Sequence, residues 1–362
     1  MTRERNDEMY AVGQLSRIVE PLLAWYAKEA RDLPWRKSRD PYAIWVSEIM
    51  LQQTRVEAVK PYFARFMAEL PTVTHLAEAD ETRLLKLWEG LGYYSRARNL
   101  KKAALSVVRD YGGQLPRSYD ALLSLSGIGS YTAGAIASIA FDIPVPAVDG
   151  NVLRIVMRIL ADDRDIADAK TKRAVAGLLT RIIPRDRAGD FNQALMDLGA
   201  TVCLPVGKAR CEVCPLSAVC DAYLDDIAET LPVKSAKKQR RVEKRTVWLV
   251  SYGDKIAIRR RPPKGLLAGL WEFPNEEGHR TRKAWREELT ERGWHVTSIR
   301  QAGEANHIFT HIEWKMKGYW VEVSELIPEW EWIGRNELTD VYPIPTAFKY
   351  YQEQVMKKEV QK

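Results

Sequence analysis

All four cysteines of the chain lie within a stretch of eighteen residues, as Cys203, Cys211, Cys214 and Cys220. Scattered cysteines would indicate disulfides or inert core thiols, whereas a cytosolic chain that collects all its thiols in one loop is expected to bind a metal. Four thiolates suit either a structural zinc ion or an iron–sulfur cluster, and the spacing alone does not separate the two.

Two carboxylates lie in segments that could change their chemistry. Glu48 stands in the middle of the apolar helical segment VSEIMLQQT, where a carboxyl group resists ionisation. The simpler interpretation is a partly exposed glutamate beside the core, because glutamate is rarely buried without a partner. Asp149, in VPAVDGNVLRI, precedes another apolar helical stretch, and taken alone it is a helix cap.

The segment LSGIGSYTAGA places Gly127 and Gly129 between two predicted helices, and Ser130 and Tyr131 begin the second of them. Two glycines allow a tight turn that exposes backbone N–H groups beside a helix N-terminus, a geometry that binds phosphate. An ordinary helix-turn-helix connection would have the same pattern.

A series of short helices would position these groups. From Met9 to about Val202 nearly every segment has helical periodicity, which predicts an all-α half. Asp40 and Pro41 mark a helix start, because Asp caps a helix and Pro fits its first turn. The clearest predicted helices are 15–30, 42–54, 95–111 and 131–141.

The composition changes after residue 230. The segment LPVKSAKKQRRVEKRT, residues 231–246, is dominated by Lys and Arg and is expected to be a solvated linker. Residues 247–362 have the pattern of short strands with an intervening helix, which predicts an α+β domain. The expected organisation is therefore a helical domain over 1–230, the linker, and a second domain.

The overall composition agrees with a multidomain globular protein. The chain has 362 residues, of which 46% are hydrophobic and 28% charged. Its charged N-terminus resembles no secretion signal, and no apolar run is long enough to span a bilayer, so we expect a cytoplasmic protein with no membrane partner. The net charge of +7 suits a polyanion such as DNA, and the twelve Trp and fifteen Tyr could stack on bases or fill a core.

Five segments together resemble the helix-hairpin-helix DNA glycosylases that contain an iron–sulfur cluster. The resemblance covers about residues 31–220, and it is carried by SEIMLQQTRV, EGLGYYSRARNL, LSGIGSYTAGAIASIAF, AVDGNVLRI and the four-cysteine loop. Within that superfamily the chain resembles the MutY-type adenine DNA glycosylases. The resemblance implies a helix-hairpin-helix subdomain over about 31–140 and an iron–sulfur subdomain formed by the N-terminus with about 141–230. The bifunctional endonuclease III branch has a lysine where this chain has Tyr131, so a monofunctional enzyme is implied.

The resemblance also implies roles for the two carboxylates. Glu48 would keep its proton and donate it to N7 of adenine as a general acid. Asp149 would stay ionised and stabilise the oxocarbenium ion, or capture it covalently, before water attacks. Asn151 would orient Asp149, and Tyr131 would lie against the reacting nucleotide.

Further positions follow from the same resemblance. The implied adenine pocket consists of Arg31, Trp35, Arg36, Leu51 and Gln193. The implied DNA contacts are Gln53, Thr54, Leu91, Tyr93, Gly127, Gly129 and Ser130. The four cysteines would hold a 4Fe-4S cluster, with zinc as the alternative, although seven residues separate Cys203 from Cys211 where the family usually has six.

The segment GLLAGLWEFP resembles the MutT-like domain of the same family, a fold shared with Nudix hydrolases. Hydrolysis would need a glutamate-rich helix to hold divalent metal, but Thr290 and Gly278 stand where glutamates are expected. We therefore predict recognition without hydrolysis. The expected contact with 8-oxoguanine is the tip Phe309, Thr310 and His311, where the family usually has Phe-Ser-His.

The predicted partner is double-stranded DNA with adenine opposite 8-oxoguanine, bound by a monomeric, nucleoid-associated enzyme. Two alternatives remain open from the sequence. One is a glycosylase with altered base preference, and the other is a DNA-binding protein with a structural metal and no catalytic activity.

Overall fold

The chain forms two compact units in a computed structural model that describes residues 8–205, 209–235 and 239–357. The helical unit contains the described residues up to 78 and those from 98 to 235. The sheet unit contains residues 79–97 and those from 239 onward. The predicted fold class, a helical domain followed by an α+β domain, is confirmed.

Most residues up to 224 belong to helices. In chain order these are α1 Glu8–Ser16, α2 Val19–Glu29, α3 Pro41–Leu51, α4 Val56–Glu69, α5 Val73–Glu78, α6 Glu81–Leu87, α7 Ser95–Tyr111, α8 Tyr119–Leu123, α9 Ser130–Phe141, α10 Gly150–Ile159, α11 Ala169–Ile182, α12 Ala188–Thr201 and α13 Asp221–Leu224. Short 3-10 helices cover Pro34–Arg36, Cys211–Val213 and Ser217–Val219. Within the described residues, no helix is both long enough and apolar enough to cross a membrane.

Helix α3 begins where the sequence predicts. The Asp40 side chain accepts a hydrogen bond from the backbone N–H of Tyr42 at 3.0 Å, and Pro41 occupies the first helical position. The helix ends at Leu51, three residues before the predicted end, because Gln53 has a left-handed φ of 58°. Since α3 is buried along almost its whole length, it is a central core element.

The predicted helix over residues 15–30 is two helices. The chain turns between α1 and α2, where the N–H groups of Arg17 and Ile18 donate to carbonyls three residues earlier. Both helices bury apolar side chains in one core with α10, α11 and α12 and with the cysteine loop. The apolar periodicity continues across the turn, so it did not reveal the break.

The sheet unit is built on a seven-stranded sheet in its described residues. Its strands are β1 Arg241–Tyr252, β2 Lys255–Arg260, β3 Trp271–Glu272, β4 Asn275–Glu277, β5 Val296–Ile308, β6 Ile312–Val323 and β7 Glu331–Ile333. The main order is β3-β2-β1-β6-β5, with β4 paired to β1 and β7 to β2. Strands β1 and β6 are parallel, and β5 and β6 form an antiparallel hairpin.

Helices cover both faces of this sheet. They are α14 Arg282–Glu291, α15 Arg335–Asp340 and α16 Lys349–Lys357, with a 3-10 helix over Thr346–Phe348. Side chains of β1 alternate between two cores, because Val247 packs with α15 and α16, whereas Trp248 packs with α14.

The prediction of a linker over 231–246 is wrong for residues 241–246. Residues 241–246 form the first part of β1, where they pair with β6 on one side and partly with β4 on the other. The basic composition concealed a strand whose side chains still pack, since the Arg245 guanidinium lies 4.3 Å from the ring centroid of Trp314. Residues 236–238 of the predicted linker lie outside the described residues.

Residues 79–97, which we predicted to belong to the helical domain, pack with the sheet unit. The Glu89 carboxylate accepts a hydrogen bond from the backbone N–H of Ile344 at 2.8 Å, and Lys86 donates to the carbonyl of Tyr342 at 3.3 Å. These contacts join positions more than 250 residues apart in the chain, and helical periodicity contains no information about such pairings.

Candidate active site

The helical unit contains a cavity of about 230 Å³ between α3, α9, α10 and α12. Every predicted catalytic and adenine-pocket residue lines this cavity, and so does Thr54. The full lining is Arg31, Leu33, Trp35, Arg36, Ile44, Ser47, Glu48, Leu51, Thr54, Arg55, Val56, Tyr131, Ile139, Asp149, Asn151, Gln193, Met196 and Ala200.

Glu48 lies on the central helix α3 and is only 5% exposed. Its Oε2 atom has no hydrogen-bond partner among the described residues. Burial is the main cause that raises the pKa of Glu48 to about 7, and the nearby Asp149 acts in the same direction. The neighbouring Tyr131 hydroxyl and the Arg36 charge act against this rise. The carboxyl group is therefore about half protonated near neutral pH.

Asp149 is the N-cap of α10 and accepts three hydrogen bonds. Its Oδ1 accepts from the backbone N–H groups of Asn151 and Val152 at 2.8 and 2.9 Å, and its Oδ2 accepts from Asn151 Nδ2 at 2.8 Å. Burial raises the pKa of Asp149, and these three hydrogen bonds act against that rise. Glu48 and Asp149 therefore differ in environment, because Asp149 has three donors to stabilise its anion.

Asn151 is held in place by two elements. Its Oδ1 accepts a hydrogen bond from Arg154 Nη2 at 3.0 Å, and the same nitrogen donates to the carbonyl of Gly199 at 2.8 Å. A Cβ atom at Gly199 would lie 2.8 Å from the Cβ of Asn151, so α12 approaches α10 too closely for a larger residue. The side chain that orients Asp149 is thus fixed by packing as well as by hydrogen bonding.

Tyr131 is the second residue of α9, which packs directly against α3. Burial and the charges of Glu48 and Asp149 raise the pKa of Tyr131 well above its ordinary value. Its hydroxyl therefore keeps its proton and donates a hydrogen bond to Met196 Sδ at 3.8 Å.

Asp197 is a functional candidate that the sequence reasoning missed. It is fully buried and binds both predicted pocket arginines. Arg31 donates to it through the backbone N–H at 3.1 Å and through Nε at 2.7 Å, while Arg36 donates through Nη1 and Nη2 at 2.7 and 2.8 Å. The signal available was its spacing, since Asp197 lies four residues after Gln193 in an apolar helical segment.

The chain matches known families over both units. Residues 46–181 match the HhH-GPD superfamily base excision DNA repair protein, and residues 246–354 match the NUDIX domain. The adenine DNA glycosylase of Rattus norvegicus is 36% identical over 402 residues, which cover 92% of this chain and 77% of the rat protein. The chain belongs to the adenine DNA glycosylase family. The enzyme of the same name from Homo sapiens is 34% identical and covers 95% of this chain and 75% of its own length.

Solved structures agree with the helical part of this assignment. A thermostable thymine-DNA glycosylase superposes with a TM-score of 0.54 at 31% identity, over 59% of this glycosylase and 98% of that chain. An endonuclease III–DNA complex superposes with a TM-score of 0.51 at 23% identity, over 60% and 98%, which shows the shared fold. The predicted resemblance to base excision repair glycosylases is thereby confirmed.

The helix-hairpin-helix turn of the glycosylase lies between α8 and α9. Gly127 has a φ of +77°, and a Cβ atom there would lie 2.7 Å from the Cβ of Asn99, so both backbone and space require glycine. Gly129 is the N-cap of α9 with an ordinary φ of −91°, and a Cβ atom there would meet nothing within 4 Å. Ser130 is exposed in the first turn, where the N–H groups of a helix have no intrahelical partner.

Two of the predicted DNA-contact residues have left-handed backbone conformations. Gln53 has a φ of 58° and Tyr93 a φ of 48°, and both side chains are exposed. Leu91 is buried in the sheet unit, where the hydroxyl groups of Tyr93 and Thr310 lie 3.0 Å apart. A positive φ in a non-glycine residue is uncommon and occurs preferentially at functional sites.

The four cysteines line a single cavity of about 30 Å³ and form no disulfide. Arg158 Nη1 donates to the Sγ of Cys203 at 3.2 Å. Among residues 8–205, 209–235 and 239–357, no three His, Cys, Asp or Glu side chains converge on a position for one metal ion. Four thiols around one cavity are a donor set that suits either an iron–sulfur cluster or a zinc ion. Residues 206–208, within the seven-residue spacing after Cys203, lie outside the described part.

The predicted 8-oxoguanine contact is the turn between β5 and β6. The Phe309 ring packs edge-on against Trp314 with 4.9 Å between centroids, whereas Thr310 and His311 are exposed. The nearby strand β1 is tied to this turn, because the backbone N–H of Arg241 donates to the carbonyl of His311 at 3.0 Å. The tip is therefore a supported turn with two accessible polar side chains.

Two glutamates of helix α14, which lies where a Nudix metal-binding helix is expected, have basic partners. Glu288 is paired with Arg280 and Arg292, and Glu287 lies 4.0 Å from Lys283. Thr290 is exposed, and its hydroxyl donates to the carbonyl of Arg286 at 2.8 Å.

Proposed function

We propose that this glycosylase hydrolyses the N-glycosidic bond of adenine that is mispaired with 8-oxoguanine or guanine in double-stranded DNA, without cleaving the strand. The observation that carries the proposal is the pairing of Glu48 and Asp149 at one cavity in contrasting environments. One carboxyl group is buried with an unpartnered oxygen, and the other accepts three hydrogen bonds. This contrast separates an acid from an anion.

Adenine leaves poorly as an anion, so it must be protonated as the bond between C1′ and N9 breaks. Glu48 donates its proton to N7, and the bonding electrons pass to the base, which departs as neutral adenine. Positive charge develops on the sugar, where the Asp149 carboxylate stabilises or captures it. Water then adds to C1′, which leaves an abasic site. The absence of a lysine at Tyr131 supports release without strand cleavage.

The target nucleotide must leave the base stack before this reaction, at a cost of a few kcal/mol that contacts to DNA offset. We assign Gln53, Thr54, Leu91 and Tyr93 to this task. The strained backbone at Gln53 and Tyr93 supports the assignment. The Gly127 to Ser130 turn binds a phosphate, since the space around Gly129 is open and the first N–H groups of a helix have no intrahelical partner.

The sheet unit recognises the opposite base through Phe309, Thr310 and His311 and does not hydrolyse nucleotides. Thr310 and His311 are exposed polar residues at this tip, and the Thr310 hydroxyl lies 3.0 Å from the Tyr93 hydroxyl. Nudix hydrolysis is disfavoured because Glu288 is committed to two arginines and Thr290 has no carboxylate. The net charge of +7 supports DNA as the partner. We place the enzyme, as a monomer, in the cytoplasm at the nucleoid.

The four cysteines hold a 4Fe-4S cluster, with zinc as the alternative. When bound, such a group clamps the loop between α12 and α13. The cavity that all four cysteines line supports a bound metal group, and the resemblance to iron–sulfur glycosylases favours the cluster over zinc. A purified protein with broad visible absorption and four irons per chain would support this assignment. A colourless protein with one zinc would contradict it.

The activity is tested with duplexes that carry adenine opposite 8-oxoguanine, guanine or thymine, followed by treatment with alkali. We expect strand scission only after alkali, and fastest for the 8-oxoguanine duplex. Glu48→Gln should abolish excision but retain DNA affinity, because the near-isosteric change removes the proton donor alone. The exposed Glu29→Gln is the matched control and should react like the unaltered enzyme. Full excision by Glu48→Gln would refute the mechanism.

A further inference from the structure

We propose that Asp197 is a positioning residue for adenine excision, because it keeps Arg31 and Arg36 on the cavity wall and away from Glu48. The inference rests on the proposed role of Glu48 as general acid. It goes beyond that role by assigning a function to a buried anion that lies behind the cavity lining.

The geometry around Asp197 is that of a buried clamp. The side chain is 0% exposed, whereas the Arg31 and Arg36 side chains are 25% and 14% exposed. Arg36 makes a two-nitrogen contact with both carboxylate oxygens at 2.7 and 2.8 Å. Bidentate, charge-assisted contacts of this kind fix the direction of a guanidinium group. Both arginines also line the cavity, so the clamp decides where their charges lie.

The charge balance explains why the clamp matters. Two arginines meet one carboxylate, so the group carries one net positive charge beside a cavity that needs a neutral Glu48. Arg36 already lowers the pKa of Glu48, although burial outweighs this effect. If the Asp197 anion were removed, two uncompensated cations would remain on the wall of the cavity that Glu48 lines, and Arg36 already interacts electrostatically with Glu48. Ionisation of Glu48 would then become easier.

Other charged and titratable groups face this region and stay unchanged in the test. Tyr131 and Asp149 face Glu48 from α9 and from the start of α10, and Arg55 lines the cavity at the start of α4. Tyr26 faces Arg36 from α2, with the Arg36 guanidinium 5.8 Å from its ring centroid, and Asp190 of α12 lies near Tyr26.

The test is the single-turnover excision rate of Asp197→Asn as a function of pH. We expect the falling limb of the pH–rate profile, where Glu48 ionises, to move to lower pH by about one unit. Excision at pH 8 would then be about tenfold slower than in the unaltered enzyme, with much of the rate recovered at pH 6. Asp197→Glu, which keeps the carboxylate, should restore the original limb.

A merely structural role would lower the rate equally at every pH, and that result, or an unchanged limb, would overturn the proposal. If Asp197→Asn does not fold, Arg36→Gln provides the second test, because removing a cation should move the falling limb of the pH–rate profile to higher pH. The variant Glu48→Gln separates a failure of the proposed acid role of Glu48 from a failure of the proposed positioning role of Asp197. Activity in that variant would refute the acid role itself, whereas its inactivity with an unmoved limb in Asp197→Asn would refute only the clamp.

Discussion

A buried, protonatable Glu48 should weaken the free enzyme as the pH rises. Burial raises the folded-state pKa of Glu48 from 4.5 to about 7, so between these values the folded protein holds a proton that the unfolded chain has lost. The stability that this group contributes is fully present below about pH 4.5 and is lost as the pH rises through about 7. The substitution Glu48→Gln removes the titration, so the variant should gain stability relative to the unaltered enzyme at higher pH.

The size of the effect follows from the width of the shift. A difference of about 2.5 pKa units corresponds to about 3 kcal/mol when both states are fully ionised. Between pH 5 and pH 8 the advantage of Glu48→Gln should therefore grow by about 2.5 kcal/mol. For a unit of this size that change corresponds to about 5–10 °C in the melting temperature.

The assay is thermal or urea unfolding of both proteins at pH 5 and pH 8, with Glu29→Gln as the matched control at an exposed site. The comparison uses the change with pH, because the buried glutamine amide has its own constant cost at each pH. A stability difference between Glu48→Gln and the unaltered enzyme that is the same at both pH values would show that Glu48 is not held neutral. The acid mechanism would then lose its physical basis.

Two further outcomes follow from the site. Asp149→Asn should slow excision by about a hundredfold or more. The melting temperature should stay nearly unchanged, because Asn also caps helices well. A large loss of stability would show that Asp149 is needed mainly as a cap. Gly127→Ala should destabilise the hairpin by about 1–2 kcal/mol through its left-handed φ. Gly129→Ala should cost at most about 1 kcal/mol, because Ala is a weaker N-cap than Gly, but it should weaken DNA binding in a filter or anisotropy assay. Equal DNA affinity in Gly129→Ala and the unaltered enzyme would contradict the phosphate contact.

The sequence predicted the parts of the fold that depend on local rules. Asp40 and Pro41 mark the start of α3 because capping and proline geometry act within one turn, and the glycines at 127 and 129 mark the hairpin for the same reason. Segment matches to a known family predicted which distant residues would line one cavity, which spacing alone could not do.

The features that the sequence did not predict have a different cause, since each depends on pairing between distant residues. Asp197 binds arginines more than 160 positions earlier in the chain, and nothing beside it in the sequence indicates those partners. The basic residues at 241–246 form a strand because β6 lies alongside them, although their composition is that of a linker. Propensity and periodicity describe neighbours, and these features are decided by tertiary contacts.

The packing of residues 79–97 with the sheet unit affects how this enzyme can be divided for experiments. A fragment that ends before β1 would keep this segment but lose its partners Ile344 and Tyr342, along with the Thr310 contact of Tyr93. The truncated enzyme would then differ from the intact one at a segment that we propose to contact DNA, as well as in lacking a domain. A loss of affinity on truncation would combine both effects, and grafting residues 79–97 from a relative without a NUDIX domain would separate them.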